Sequence, residues 1–177
     1  MVPTGKTTAM KSSAEKVSKP TASKKSSANL SVKTANKVST EAVYEEVKIG
    51  NQVWMAKNLD VAHYRNGDII PQVTDPTQWG NLTTGAWCWY NNDSSNGALY
   101  GRLYNWYAVA DSRKICPVGW HVPTNAEAST LCNYLGGASV AGGMLKSTSG
   151  QYWNQNTGAT NASGFSFLGA GSNGLGP

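Results

Sequence analysis

Val43-Tyr44-Glu45-Glu46-Val47-Lys48-Ile49-Gly50-Asn51-Gln52-Val53-Trp54-Met55-Ala56 is the stretch from which the fold can be read. Across residues 43–49, Val43, Glu45, Val47 and Ile49 alternate with Tyr44, Glu46 and Lys48, which is the period-two pattern of a strand. Gly50-Asn51 supplies a turn and residues 52–56 return, so the pattern predicts a hairpin. Downstream the period changes. Leu103, Trp106, Tyr107 and Ala110 stand at i, i+3, i+4 and i+7, which predicts a short helix over residues 102–110. Thr124 followed by Glu127 forms a capping box just after Pro123 and opens a second helix. Its apolar stripe is Ala128, Leu131, Cys132 and Leu135, and Gly136-Gly137 closes it. Gly, Asn, Ser and Thr fill the spaces between, without periodic signal. These elements describe an α+β domain with long irregular loops.

Charge divides the 177-residue chain unevenly. Residues 1–42 hold eight lysines against two acids, a net of +6, while the remaining 135 residues hold seven basic and eight acidic groups, a net of −1. The pI of 9.1 therefore describes a leader and does not imply a basic groove on the body. Aromatic residues divide the same way: the first is Tyr44, and only residues 43–177 can build a core. The leader lacks an apolar cluster able to offset about 1–2 kcal/mol per residue of ordering, so it is expected to be disordered unless bound. Lys6, Lys11, Lys16 and Lys19 interrupt every window that could hold the roughly 7–15 apolar residues of a secretory signal. Neither a secretory signal nor membrane insertion is expected. Gly5-Lys6-Thr7-Thr8 lacks the upstream glycine and strand of a phosphate loop. The lysines Lys6, Lys11, Lys16, Lys19, Lys24, Lys25, Lys33 and Lys37 read either as a solvated linker or as an arm that meets an acidic surface by counterion release. Contact with nucleic acid is expected through this arm only.

Five ordered blocks carry a resemblance. They are residues 47–59 (Val-Lys-Ile-Gly-Asn-Gln-Val-Trp-Met-Ala-Lys-Asn-Leu), 85–93 (Gly-Ala-Trp-Cys-Trp-Tyr-Asn-Asn-Asp), 100–109 (Tyr-Gly-Arg-Leu-Tyr-Asn-Trp-Tyr-Ala-Val), 116–124 (Cys-Pro-Val-Gly-Trp-His-Val-Pro-Thr) and 160–165 (Thr-Asn-Ala-Ser-Gly-Phe). Together they resemble the Fibrobacter succinogenes major paralogous domain. The resemblance implies a C-type-lectin-like fold with an N-terminal hairpin, two short helices and long loops over a small sheet. It implies no defined activity. It also implies closing strands beyond the Ser-Gly-Phe block, one of them bearing a cysteine that would meet Cys116; residues 166–177 do not supply them.

Three cysteines, Cys88, Cys116 and Cys132, allow at most one internal disulfide. Cys132 on the apolar helix face reads as a core residue. The absence of a CxxC spacing, with His63 and His121 as the only imidazoles, gives no zinc, redox or nucleophilic constellation. His121, beside Trp120 and close to Pro123, reads as a packed structural residue. No catalytic residue, metal or cofactor is expected. Asn91, Asn92 and Asp93 form the one oxygen-rich cluster beside aromatics, in a run with ordinary turn chemistry. Of the rings, Trp79, Trp87, Trp89, Tyr90, Tyr104, Trp106, Tyr107, Trp120 and Trp153 could include a sugar-stacking platform, although most should fill the core. Trp87 and Trp89 stand two apart in a strand-like run and face one side. The candidate ligand-binding set is therefore Trp87, Trp89, Asn91, Asn92 and Asp93.

The functional expectation is a non-enzymatic display protein of a virion (minor capsid, decoration or fibre-associated), with the arm reaching other virion proteins or an acidic surface and the head meeting a glycan or host surface. The alternative is a bacterial surface or secreted adhesin that binds polysaccharide. A third class is an enzyme like the sulfatase-modifying oxidases, which the resemblance implies share the fold but which work through cysteines in a site that this sequence does not reproduce.

Overall fold

The computed structural model describes residues 44–172, so the expectations for residues 1–42 and all eight arm lysines lie outside the described residues. The hairpin forms as two antiparallel strands, β1 (Glu46–Ile49) and β2 (Gln52–Met55), paired from Ile49–Gln52 to Glu46–Met55. Gly50 turns the chain at φ +60°, a conformation natural to glycine, and its missing side chain leaves room for the Tyr134 ring.

The two faces of β2 enter different parts of the core. Trp54, with Ile49, meets Leu131, Leu135, Ala141 and Phe165, and its ring stands edge-on to Phe165 with centroids 6.0 Å apart. Met55 points the other way into a cluster with Leu59, Tyr64, Ile70, Trp87 and Trp120. Gln52 ties the hairpin to the helical side, donating from Nε2 to the carbonyl of Glu127 at 3.1 Å.

The middle of the chain is made of very short elements. α1 (Pro76–Gly80) starts on the Asp75 carboxylate, which accepts from the Gln78 N–H at 2.7 Å. β3 (Trp87–Cys88) leads into two tight 3-10 turns and then α2 (Gly97–Tyr100). β4 (Leu103–Tyr104) returns antiparallel to β3, and α3 (Trp106–Val109) follows after Asn105. Val73, Trp79, Ala86, Cys88 and Leu103 form a third apolar cluster around this pair.

The single helix expected over residues 102–110 is corrected by this arrangement. Asn105 interrupts it, because its side chain caps the Ala108 N–H and leaves Leu103 and Tyr104 extended. The i, i+3, i+4 spacing also misplaces the stripe. Leu103 is buried by strand pairing and Ala108 by the helix, whereas Trp106 and Tyr107 project outward.

α4 (Asn125–Tyr134) follows the expected grammar, with both bonds of the Thr124–Glu127 capping box present. Leu131 and Leu135 are buried and Cys132 packs half-buried beside them, while Ala128 is exposed and drops out of the stripe. Gly137 (φ +96°) ends this helix and begins α5 (Ala138–Leu145), which the sequence pattern left unassigned. Gly142-Gly143 inside α5 hides it from a propensity reading, yet Gly143 is needed: a Cβ there would strike the carbonyl of Gly158. Residues 146–172 run as loop, pinned by a bridge between Lys146 and Phe167.

Leu131→Ala should lower stability by about 2–5 kcal/mol, because it opens a cavity where β2, α4 and the Phe165 loop meet. Ala128→Ser on the same helix should change it by less than about 0.5 kcal/mol. Urea midpoints of the two variants check the assignment of the buried face.

Candidate functional site

The expected platform is buried at Trp87 and half-buried at Trp89. The two rings do share a side, edge-to-face with centroids 5.0 Å apart, but that side points inward. Trp87 is 6% exposed, donates its indole N–H to the Ile70 carbonyl at 2.8 Å and carries the Arg102 guanidinium 4.2 Å from its ring centre. Trp89 is half-buried against Gly97. The strand alternation is right about which residues share a side and silent about which side is covered; the Trp87 ring packs into the cluster of Met55, Leu59, Tyr64, Ile70 and Trp120.

Asn91, Asn92 and Asp93 are exposed and form a tight turn, with Asn91 and Asn92 both at φ +55°. The Asn92 amide donates to the Thr74 carbonyl at 2.9 Å, and the Asp93 carboxylate accepts from the Ser95 N–H at 2.9 Å. That bond holds the Asp93 carboxyl below the ordinary carboxylate range. These side chains tie the turn together, and among the described residues no group of three His, Cys, Asp or Glu comes within reach of one ion.

Trp106, Tyr107 and Tyr134 are the strongly exposed rings among the described residues, and the first two are consecutive on α3. Trp106 is 69% exposed and Tyr107 45%, whereas Trp79, Trp87 and Trp120 are buried. Their base is rigid for a one-turn helix. Asn105 is buried, and its Oδ1 accepts from the N–H groups of both Ala86 and Ala108 at 3.0 Å. Its Nδ2 donates to the Thr84 carbonyl at 2.8 Å. Gly85 lies flush beneath, where a Cβ would collide with the Tyr64 hydroxyl and with Ala108. As consecutive helical residues Trp106 and Tyr107 point about 100° apart, and each offers an exposed ring on a fixed backbone to which a flat, partly apolar ligand can stack. Sequence reasoning named both among nine candidate rings but did not select them, because rings at helical spacing read as core; the useful signal was the capping asparagine before them.

A cleft of about 510 Å³ opens where α3 ends, lined on one side by Val109, Ala110 and Asp111 and on the other by Arg65, Cys116 and Trp120. Arg113 grips the Asp111 carboxylate with two bonds, 2.9 and 2.7 Å, and reaches Asp68 at 3.0 Å. This fork holds the Asp111 carboxyl well below its usual range. Cys116 is 2% exposed, and burial pushes its thiol up to about 11, partly opposed by Arg65. Only a thiolate is a good nucleophile, so Cys116 is poorly suited to attack at neutral pH. His121 pairs its Nε2 with Glu127 at 2.8 Å, joining the cleft rim to the capping box of α4.

The family model of the Fibrobacter succinogenes major domain matches residues 47–175. The chain belongs to this family. The match takes in every element from β1 to α5 except the first residue of β1, so the hairpin turn, the Asn105 hub and the cleft all lie inside the Fibrobacter major domain. No curated protein and no solved structure matches the chain.

Asn105→Ala should cost about 1–3 kcal/mol, because the buried Ala86 N–H loses its acceptor, while the Ala108 N–H keeps the Asn105 carbonyl at 3.1 Å. Hydrogen exchange should then quicken at the Ala86 amide. Unchanged exchange there would remove Asn105 from its role as the base of the Trp106–Tyr107 pair.

Proposed function

We propose that this chain is a non-enzymatic display module, a C-type-lectin-like head that binds a glycan through the Trp106–Tyr107 surface and is tethered by the lysines of residues 1–42 to a larger assembly, with a virion as its setting. The observation that carries the reading is the exposure of two adjacent rings on a backbone locked by Asn105. Rings of this size left in water gain most when a ligand covers them, and a sugar face offers C–H groups to the ring with hydroxyls at its edge. The tether reading rests on charge. Eight lysines and two acids precede a body of net −1, which suits residues 1–42 to an acidic partner surface rather than to their own head. The buried Cys116 thiol, kept protonated at neutral pH, supports a binding role over a reaction.

A bacterial surface or secreted adhesin is the second reading, favoured by the same ring pair, which would serve a polysaccharide equally well. The two settings differ in what residues 1–42 must touch.

A glycan array probed with the full chain should show discrete binding that falls at least about tenfold in Trp106→Ala and Tyr107→Ala, with the melting temperature nearly unchanged. A flat array, or binding indifferent to both substitutions, removes the glycan reading. Deletion of residues 2–40 should abolish co-purification with particles while the head melts as before, and retained co-purification removes the tether.

A further inference from the structure

We propose that the cleft at the end of α3 is a binding site for a carboxylate carried on an apolar or sugar body. This rests on different residues from the ring pair and stands whether or not Trp106 and Tyr107 bind a glycan.

Arg65 sets the geometry. Its Nε donates to the Cys116 carbonyl at 3.0 Å, and its Nη2 donates to the carbonyls of Pro117 at 3.0 Å and Trp120 at 2.9 Å. A guanidinium has five N–H donors in one plane, so these three bonds fix the plane and leave the two on Nη1. Among the described residues those two have no acceptor. Such a fork, immobilised before the ligand arrives, loses little conformational entropy on binding.

Lys114 brings the second charge. Its carbonyl accepts from the Arg65 N–H at 2.8 Å, so the two cationic residues are joined through the backbone. The residue is also held at φ +63°, which favours glycine over a side chain. Its ammonium has no carboxylate partner among the described residues. Asp111 is the carboxylate on this wall, and Arg113 already engages both of its oxygens. The remaining titratable groups are His121, turned to Glu127, and the buried Cys116. Arg65 and Lys114, both exposed and without an anionic partner among the described residues, thus line the cleft together with the apolar Val109, Ile115 and Trp120. Cationic donors satisfy a carboxylate, and the apolar residues cover the body that carries it. The volume of about 510 Å³ suits a monosaccharide acid or an aromatic acid.

The test is an amide-resolved NMR titration of the full chain at pH 7 with sodium glucuronate and sodium benzoate. Glucose and benzyl alcohol serve as uncharged counterparts and inorganic phosphate as a competing oxyanion. Both carboxylates should shift the amides of Arg65, Lys114, Ile115 and Trp120, and their uncharged counterparts should bind at least about tenfold more weakly. Lys114→Gly should weaken carboxylate binding about tenfold while the melting temperature holds or rises, since glycine accepts the positive φ. Arg65→Gln should abolish binding, and a loss of fold in that variant leaves Lys114→Gly as the deciding case. Absence of shifts at the cleft, equal binding of the uncharged partners, or full affinity in Lys114→Gly would overturn the site. Phosphate binding tighter than either carboxylate would overturn the assignment to a carboxylate.

Discussion

Burial of β2 on both faces is the constraint around which the rest is arranged. Trp54 and Met55 are neighbours in sequence, point in opposite directions and are 3% and 2% exposed. One enters the cluster built from α4, α5 and Phe165, the other the cluster beneath Trp87 and Trp120. A shift of one residue in the β1–β2 register would exchange their faces and put each side chain into a space shaped for the other. The Gly50 turn, seated against Tyr134, and the Gln52 bond to α4 oppose such a shift. The hairpin is therefore a wall between a helical half and a loop-rich half.

The loop-rich half solves a different problem. Its strands are two residues long and its helices four or five, so little of its backbone is satisfied by regular ladders. Side chains supply what the ladders do not. Asn58 donates to the Tyr100 carbonyl, Asn96 to that of Tyr90, Asn105 serves three backbone groups and Arg65 three carbonyls. Tyr104 both donates to Val61 and accepts from it at 2.7 Å, and burial raises its hydroxyl well above the usual tyrosine range. Abundant Asn and Gly in this chain are thus a means of building irregular but fixed backbone. Fixed backbone is what both surfaces need: the ring pair stands on Asn105, and the cleft is framed by Arg65.

Legibility from sequence followed the range of the interactions involved. The hairpin, its turn and the capping box of α4 were readable because each is specified within about a dozen residues. The broken helix at residues 102–110 was misread because Leu103, Trp106 and Tyr107 fit a helical stripe, while the partner that extends Leu103 lies at Cys88, fifteen positions earlier. α5 went unseen because Gly142 and Gly143 depress helix propensity, and the close approach of Gly158 that favours glycine at position 143 is a tertiary fact. The same limit governed the candidate site. Trp87 and Trp89 were correctly placed on one side of their strand, but a period of two cannot say which side other chain segments will cover.

The chain by itself determined its division into a cationic leader and an aromatic body, its mixed α+β character, its family and the chemistry available to it. Tertiary structure alone decided which rings are interior and which are offered to solvent, and it brought Arg65 to the carbonyls of Cys116, Pro117 and Trp120, some fifty positions away. The physical reason is that side-chain identity sets what a residue can bond to, whereas exposure and convergence depend on which distant segments compete for the same space.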